Sequence, residues 1–77
     1  MLTGAQIRAA RALLAWNQAD LAAATGLALS TIRRLEAESG VLQSNVATLV
    51  KIKDALTTGG VEFIDGNGGG PGVRLRS

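Results

Sequence analysis

The side chains available for chemistry in this chain are arginines, lysines and carboxylates, because its 77 residues include no histidine and no cysteine. Most zinc sites, acid–base relays and thiol nucleophiles depend on one of those two residue types. The carboxylates are scattered, and no two have the spacing of a catalytic pair. They are Asp20, Glu36, Glu38, Asp54, Glu62 and Asp65. We therefore expect no enzyme activity, no catalytic residue, no metal and no cofactor.

Two adjacent arginines, Arg33 and Arg34, are the cations whose spacing suggests a function. Eight basic residues exceed six acidic ones by two, a modest surplus that is compatible with a nucleic acid partner. An arginine pair on a helix is also common on a plain solvated face. Its meaning therefore depends on the element that carries it.

Helix caps divide the first part of the chain. Thr3 and Gln6 have the spacing of a capping box, so a first helix should begin there and end near Ala15. Asn17 is a good N-cap for a second helix, and Gly26 should end it because glycine tolerates the left-handed conformation. These signals place two short helices before residue 27.

Two further helices follow by the same reasoning. The third is predicted from about Leu29 to Glu38, with its apolar residues at helical spacing. The fourth should follow a cap at Ser44 or Asn45 and end at the glycines of 59–60. Its buried stripe should comprise Leu49, Ile52 and Leu56.

The last residues change their period from 3.6 to 2. Val61–Ile64 and Val73–Arg76 are predicted strands on either side of a glycine-rich loop at 66–72. Two strands alone are marginal in water, so this hairpin must pack on the helices or pair with another chain. The chain thus divides into a helical part at 1–58 and a hairpin tail at 59–77.

Residues 17–36 have the pattern that a helix-turn-helix requires, and they read NQADLAAATGLALSTIRRLE. The small Ala22 allows the third helix to cross the second, while Gly26 and Leu27 supply the tight turn and its apolar plug. The third helix turns two apolar residues inward and keeps a polar outer face for base edges.

This pattern resembles the Cro and phage-repressor type of helix-turn-helix, the XRE family. The resemblance covers roughly residues 3–57 and rests on Gln18, Leu21, Ala22, Gly26, Leu27, Ile32, Leu35 and Glu36. It implies a mainly α, four- to five-helix repressor-like DNA-binding domain, with its helix-turn-helix at about 18–38 and a short C-terminal β-hairpin. It also implies a bacterial or phage-derived transcriptional regulator that acts in the cytoplasm.

The resemblance implies a role for particular residues as well. Bases of double-stranded DNA would be contacted by Leu29, Ser30, Arg33 and Arg34. Phosphates would be contacted by Asn17, Gln18 and Arg8, although Arg8 has simple solubility as an equal alternative. Arg11 and Glu36 would form a structural ion pair that fixes how the first and third helices sit.

The front of the recognition helix departs from the family pattern at two positions. Ala28 stands where serine or threonine usually caps this helix, which forfeits ~1 kcal/mol. Leu29 is apolar where a polar base reader is common, so it either touches a thymine methyl or turns into the core. More of the base reading is therefore expected from Ser30, Arg33 and Arg34.

A single short recognition helix reads few bases, so we expect a homodimer on a palindromic site. The hairpin is the candidate dimer or partner surface, through Val61, Phe63, Val73 and Leu75. The alternative is an antitoxin-like interaction module whose hairpin binds another protein.

Membrane and export signals are weak in this sequence. Arg8 and Arg11 interrupt the N-terminal apolar residues, which argues against a signal peptide. No apolar run approaches the ~18 residues of a membrane span, and a lack of cysteine fits a reducing cytosol. We therefore expect no membrane contact.

Overall fold

The computed structural model of the protein describes residues 2–66 and 68–76, so that Asn67 of the predicted loop lies outside the described residues. Four helices precede a hairpin: α1 (Gly4–Leu14), α2 (Gln18–Thr25), α3 (Leu29–Ala37), α4 (Val46–Gly59), β1 (Val61–Ile64) and β2 (Gly72–Leu75). The expected fold class, mainly α with a C-terminal hairpin, is confirmed. Within the described ranges, no helix is long and apolar enough to span a membrane.

Reciprocal capping boxes start both α1 and α2. Thr3 Oγ1 accepts a 3.1 Å hydrogen bond from Gln6 N, and Gln6 Oε1 accepts one of 3.0 Å from Thr3 N. Asn17 Oδ1 and Asp20 N form the equivalent bond at 2.7 Å, with Asn17 N donating back to Asp20 Oδ2 at 2.9 Å. Each box satisfies two backbone amides that would otherwise lack partners.

The turn between α2 and α3 depends on Gly26, which ends α2 in the left-handed conformation at φ 75°. Thr25 closes the turn from the other side. Its Oγ1 donates to Leu21 O at 2.9 Å and accepts from Leu27 N at 3.2 Å. The predicted glycine turn is confirmed, and a threonine hydroxyl stabilises it.

Ala15 ends α1 in the same left-handed region, at φ 58° and ψ 34°. A residue with a Cβ adopts this conformation at a cost of ~1–2 kcal/mol. The conformation redirects the chain so that Trp16 N donates to Arg11 O at 2.9 Å and α2 can begin two residues later. The turn between α1 and α2 therefore contains local strain.

The later boundaries differ slightly from expectation. Glu38 lies just outside α3 and is extended, at φ −72° and ψ 145°, so the helix ends one residue earlier than predicted. Asn45 is the residue that caps α4, accepting from Ala47 N at 2.8 Å. β2 starts at Gly72 instead of Val73, because Gly72 pairs with the last residue of β1.

One hydrophobic core joins the helices and the hairpin. Its buried members are Leu2, Ile7, Ala10, Leu21, Ile32, Leu35, Leu42, Ile52, Leu56 and Val61. Phe63 and Val73 pack against this core, and Gln6 Nε2 donates to Gly72 O at 3.2 Å. Of the two possibilities for the hairpin, the structure shows packing on the helices.

Candidate nucleic-acid interface

The outer face of α3 presents three of the four expected base readers. Ser30, Arg33 and Arg34 are all exposed, and they share one side because residues three and four apart are neighbours on a helix. Ile32 and Leu35 project to the opposite side and are buried in the core. The helix is thus held by one face and presents the other to solvent.

Leu29, the fourth expected reader, is the first residue of α3 and is half-buried. The N-cap residue before it, Ala28, makes no side-chain hydrogen bond to the helix. The backbone carbonyl of Ala28 accepts from Thr31 N at 3.0 Å and from Ile32 N at 3.2 Å. The amides of the first two residues of α3 therefore have no side-chain cap.

The two arginines of the outer face have different surroundings. Arg34 Nη1 lies 3.4 Å from Glu38 Oε2, in a single contact between exposed groups one turn apart. Arg33 forms no ion pair with any residue that the structure describes. The guanidinium of Arg33 is consequently the more available of the two for a ligand.

Glu36, at the other end of α3, faces α1. Arg11 binds its carboxylate through two parallel bonds, Nε to Oε2 and Nη2 to Oε1, both at 2.7 Å. This is the pair that the resemblance implied. Its side chains are 17% and 2% exposed for Arg11 and Glu36, respectively. The hydrogen bond to Glu36 raises the pKa of Arg11, against a smaller lowering by burial, so the guanidinium stays charged.

Gln18 joins the same cluster from the start of α2. Its Nε2 donates to Glu36 Oε1 at 3.2 Å, and Arg11 Nη1 donates to Trp16 O at 3.0 Å. One carboxylate therefore ties together α1, the beginning of α2 and the end of α3. An amide nitrogen carries two hydrogens, so the bond to Glu36 leaves Gln18 one donor for a phosphate.

The other two expected phosphate ligands lie in different places. Asn17 is next to Gln18, but its side-chain oxygen already accepts from Asp20 N. Arg8 is on α1, where its Nη1 donates to the backbone carbonyl of Glu36 near the C-terminal end of α3. The structure thus brings Asn17 and Gln18 together and leaves Arg8 at the end of α3 opposite to Leu29.

The expected partner surface of the hairpin needs a correction. Val61 is 0% exposed and belongs to the core, because β1 packs on α1 and α4. Phe63 and Val73 are half-buried against the same core. Leu75 pairs with Val61 across the hairpin yet is 51% exposed. Of the four residues, only Leu75 is well exposed.

Sequence reasoning missed two residues that shape this region. Glu38 pairs with Arg34, and their spacing of four on a helix was an available signal. Gln6 was recognised as a cap, but its bond to Gly72 O crosses 66 positions of sequence. No local pattern indicates a contact at that separation.

A helix held by its inner face, preceded by a glycine turn and presenting arginines outward, defines a helix-turn-helix DNA-binding domain. The profile of the helix-turn-helix family, of the XRE type, matches residues 7–62. The chain therefore belongs to this family, which comprises DNA-binding transcription regulators and is not a family of enzymes. A comparison with curated proteins gave no match.

Proposed function

We propose that the protein regulates transcription by binding a palindromic DNA site as a homodimer, with α3 of each protomer in the major groove. The outer face of α3 is the observation that carries this proposal, since it presents two arginines on a helix whose other end is firmly held. A helix of nine residues offers few base-reading side chains, so a second copy is needed to lengthen the site.

Arg33 is the principal base reader in this proposal. Arginine recognises guanine through two hydrogen bonds to O6 and N7. Arg34 reads bases less strongly because Glu38 competes for its guanidinium. Ser30 supplies a small polar contact, and the half-buried Leu29 contacts a thymine methyl.

The start of α2 holds a phosphate of the DNA backbone. Helix N-termini suit anions because their free amides and the helix dipole point at the ligand. Gln18 contributes its remaining amide hydrogen, and Asn17 contributes its side-chain NH₂ group, since only the oxygen of Asn17 is engaged in capping. Such contacts position the protein without reading sequence.

The main experiment selects bound duplexes from a random pool and then measures the mass of the complex. We expect a palindrome whose half-sites are centred about 34–36 Å apart, bound by two chains. An asymmetric site bound by one chain would contradict the homodimer while leaving DNA recognition intact.

Salt dependence tests the electrostatic part of the proposal. A dimer that holds six to ten phosphates should lose ~10³–10⁵ in affinity between 50 and 200 mM salt. Fluorescence anisotropy titrations on the selected site measure this directly. An affinity that does not change over that range would contradict phosphate binding.

The dimer contact is assigned to the hairpin, where Leu75 and Ile64 leave apolar surface exposed. Leu75→Glu should dissociate the dimer in sedimentation velocity. Val46→Glu is the matched control, because Val46 is 74% exposed on α4, outside the hairpin. If Val46→Glu dissociates the dimer and Leu75→Glu does not, the contact lies on α4.

The same exposed residues support a second candidate, an antitoxin-like module whose hairpin binds another protein. A stable heterologous partner that copurifies with the chain, is lost in Leu75→Glu and displaces no DNA would favour it. Both roles can coexist, because the hairpin and the outer face of α3 are separate surfaces.

A further inference from the structure

One stripe of α1 faces the C-terminal end of the recognition helix. Gly4, Arg8 and Arg11 recur at positions i, i+4 and i+7, which place them on the same side of α1. Each of the three approaches the last turn of α3. We propose that Arg8 is a positioning residue that fixes the orientation of α3, and that it does not act as a phosphate ligand. This inference rests on the proposed reading of bases by α3.

Gly4 brings the two backbones into direct contact. A Cβ at this position would lie 2.7 Å from Leu35 O, 2.9 Å from Glu36 O and 3.0 Å from Glu38 O. Such distances are shorter than van der Waals contact, so the last turn of α3 lies against the first turn of α1 with no space between them. The C-terminal end of α3 is therefore placed by α1.

Arg8 secures that contact by donating through Nη1 to Glu36 O. The last four carbonyls of a helix have no partners within the helix, and a cation near them is favoured by the helix dipole. Arg11 already binds the carboxylate of the same residue. Glu36 is thus held at its side chain by Arg11 and at its backbone by Arg8.

The backbone contact matters because a side-chain contact alone leaves the helix free to tilt. α3 has nine residues, which at ~1.5 Å per residue gives a length of ~13 Å. A tilt of ~5° about its fixed end would move the other end by ~1 Å over that length. Hydrogen bonds to base edges weaken steeply with such displacements. Arg8 therefore acts on base reading from the end of the helix remote from Leu29.

The test compares Arg8→Met with Arg76→Met. Methionine keeps an unbranched stem but removes the charge and all donors, and Arg76 is an exposed arginine on the hairpin that controls for the lost charge. For each variant, the affinities for the selected site and for a random duplex are measured at several salt concentrations. Thermal unfolding establishes that each variant is folded at the assay temperature.

A positioning role predicts that Arg8→Met lowers the affinity for the selected site by about tenfold, comparable to the loss of one good base contact. The affinity for random duplex and the salt slope should match those of Arg76→Met. A phosphate ligand would instead lower both affinities alike and reduce the slope by ~0.9. That result would overturn the inference, as would an Arg8→Met variant that matches Arg76→Met in every measurement.

Arg8→Lys provides the second variant, and it carries the test should Arg8→Met unfold. Lysine keeps the charge and can still donate to a carbonyl, so its discrimination between the two duplexes should fall between those of wild type and Arg8→Met. Unchanged discrimination in Arg8→Lys, with Arg8→Met unfolded, would count against the inference. A wild-type protein without any discrimination would instead defeat the proposed function itself.

Discussion

The two ends of α3 are built in opposite ways. At the C-terminal end, Glu36 receives side-chain bonds from Arg11 and Gln18 and a backbone bond from Arg8. At the N-terminal end, Ala28 provides no side-chain cap and Ser30 is exposed. The helix is anchored at one end and presented at the other, as befits an element that must fit the surface of another molecule.

Two arginine–glutamate pairs repeat this contrast. Arg11 and Glu36 form two bonds of 2.7 Å in a nearly buried site, whereas Arg34 and Glu38 make one exposed contact of 3.4 Å. Breaking a buried pair strands a desolvated charge, but an exposed pair exchanges readily for water or another anion. The first pair therefore belongs to the scaffold, and the second belongs to a surface that remains available to a ligand.

The largest effect should come from breaking the buried pair. Arg11→Met leaves the Glu36 carboxylate with Gln18 as its remaining side-chain partner, and we expect a loss of ~3–5 kcal/mol in the free energy of unfolding. Urea denaturation measures it. Arg34→Met is the matched control and should cost less than ~1 kcal/mol. Equal losses in the two variants would remove the distinction between the pairs.

The next effect concerns base reading at the outer face. Arg33→Ala should lose ~1–3 kcal/mol of discrimination between the selected site and a variant with the contacted guanine replaced. Its unfolding free energy should stay within ~0.5 kcal/mol of wild type, because the side chain is exposed. Competitive anisotropy titrations give the ratio. Arg34→Ala should lose less, and the reverse order would make Arg34 the principal reader.

Local signals explain why so much of this fold could be predicted. The capping box at Thr3, the cap at Asn17 and the turn at Gly26 each depend on residues within four positions of one another. Their physical cause is complete within that window. The helix-turn-helix could be predicted for the same reason, since its inward apolar residues follow the period of the helix.

The contacts that assemble the site could not be predicted in this way. An exposed arginine such as Arg8 can bind a phosphate, water or a backbone carbonyl, and only the packing of α1 against α3 brings Glu36 O within its reach. Likewise, the alternating pattern of β1 predicted one buried face but not what covers it. Val61 is covered by the core of its own chain instead of a partner.

A cap at the N-terminal end of α3 would make the two ends more alike. Ala28→Ser supplies a hydroxyl that accepts from a first-turn amide, and we expect a gain of ~1 kcal/mol in unfolding free energy. Ala23→Ser, at an exposed interior position of α2, is the control and should lose up to ~0.5 kcal/mol. Thermal unfolding compares them. A gain no larger than that of the control would show that this end is not limited by its cap.

Stability can also be changed without touching either end of α3. Ala15→Gly relieves the left-handed conformation at the end of α1, offset in part by the greater freedom of glycine in the unfolded chain, for a net gain of ~0.5–1 kcal/mol. DNA affinity should stay at its wild-type value. Denaturation and anisotropy on the same preparation test both parts. A change in affinity would mean that recognition follows global stability.

The smallest effect should come from releasing the exposed pair. Glu38→Gln frees Arg34 and removes a negative charge near the DNA backbone, so we expect affinity to rise about twofold, the size of a typical exposed pair. The same substitution in an Arg34→Met background separates the two causes. If the gain disappears there, Glu38 acts by occupying Arg34. If the gain persists unchanged, Glu38 repels phosphate directly and is no competitor for Arg34, and the contrast between the two pairs then rests on burial alone.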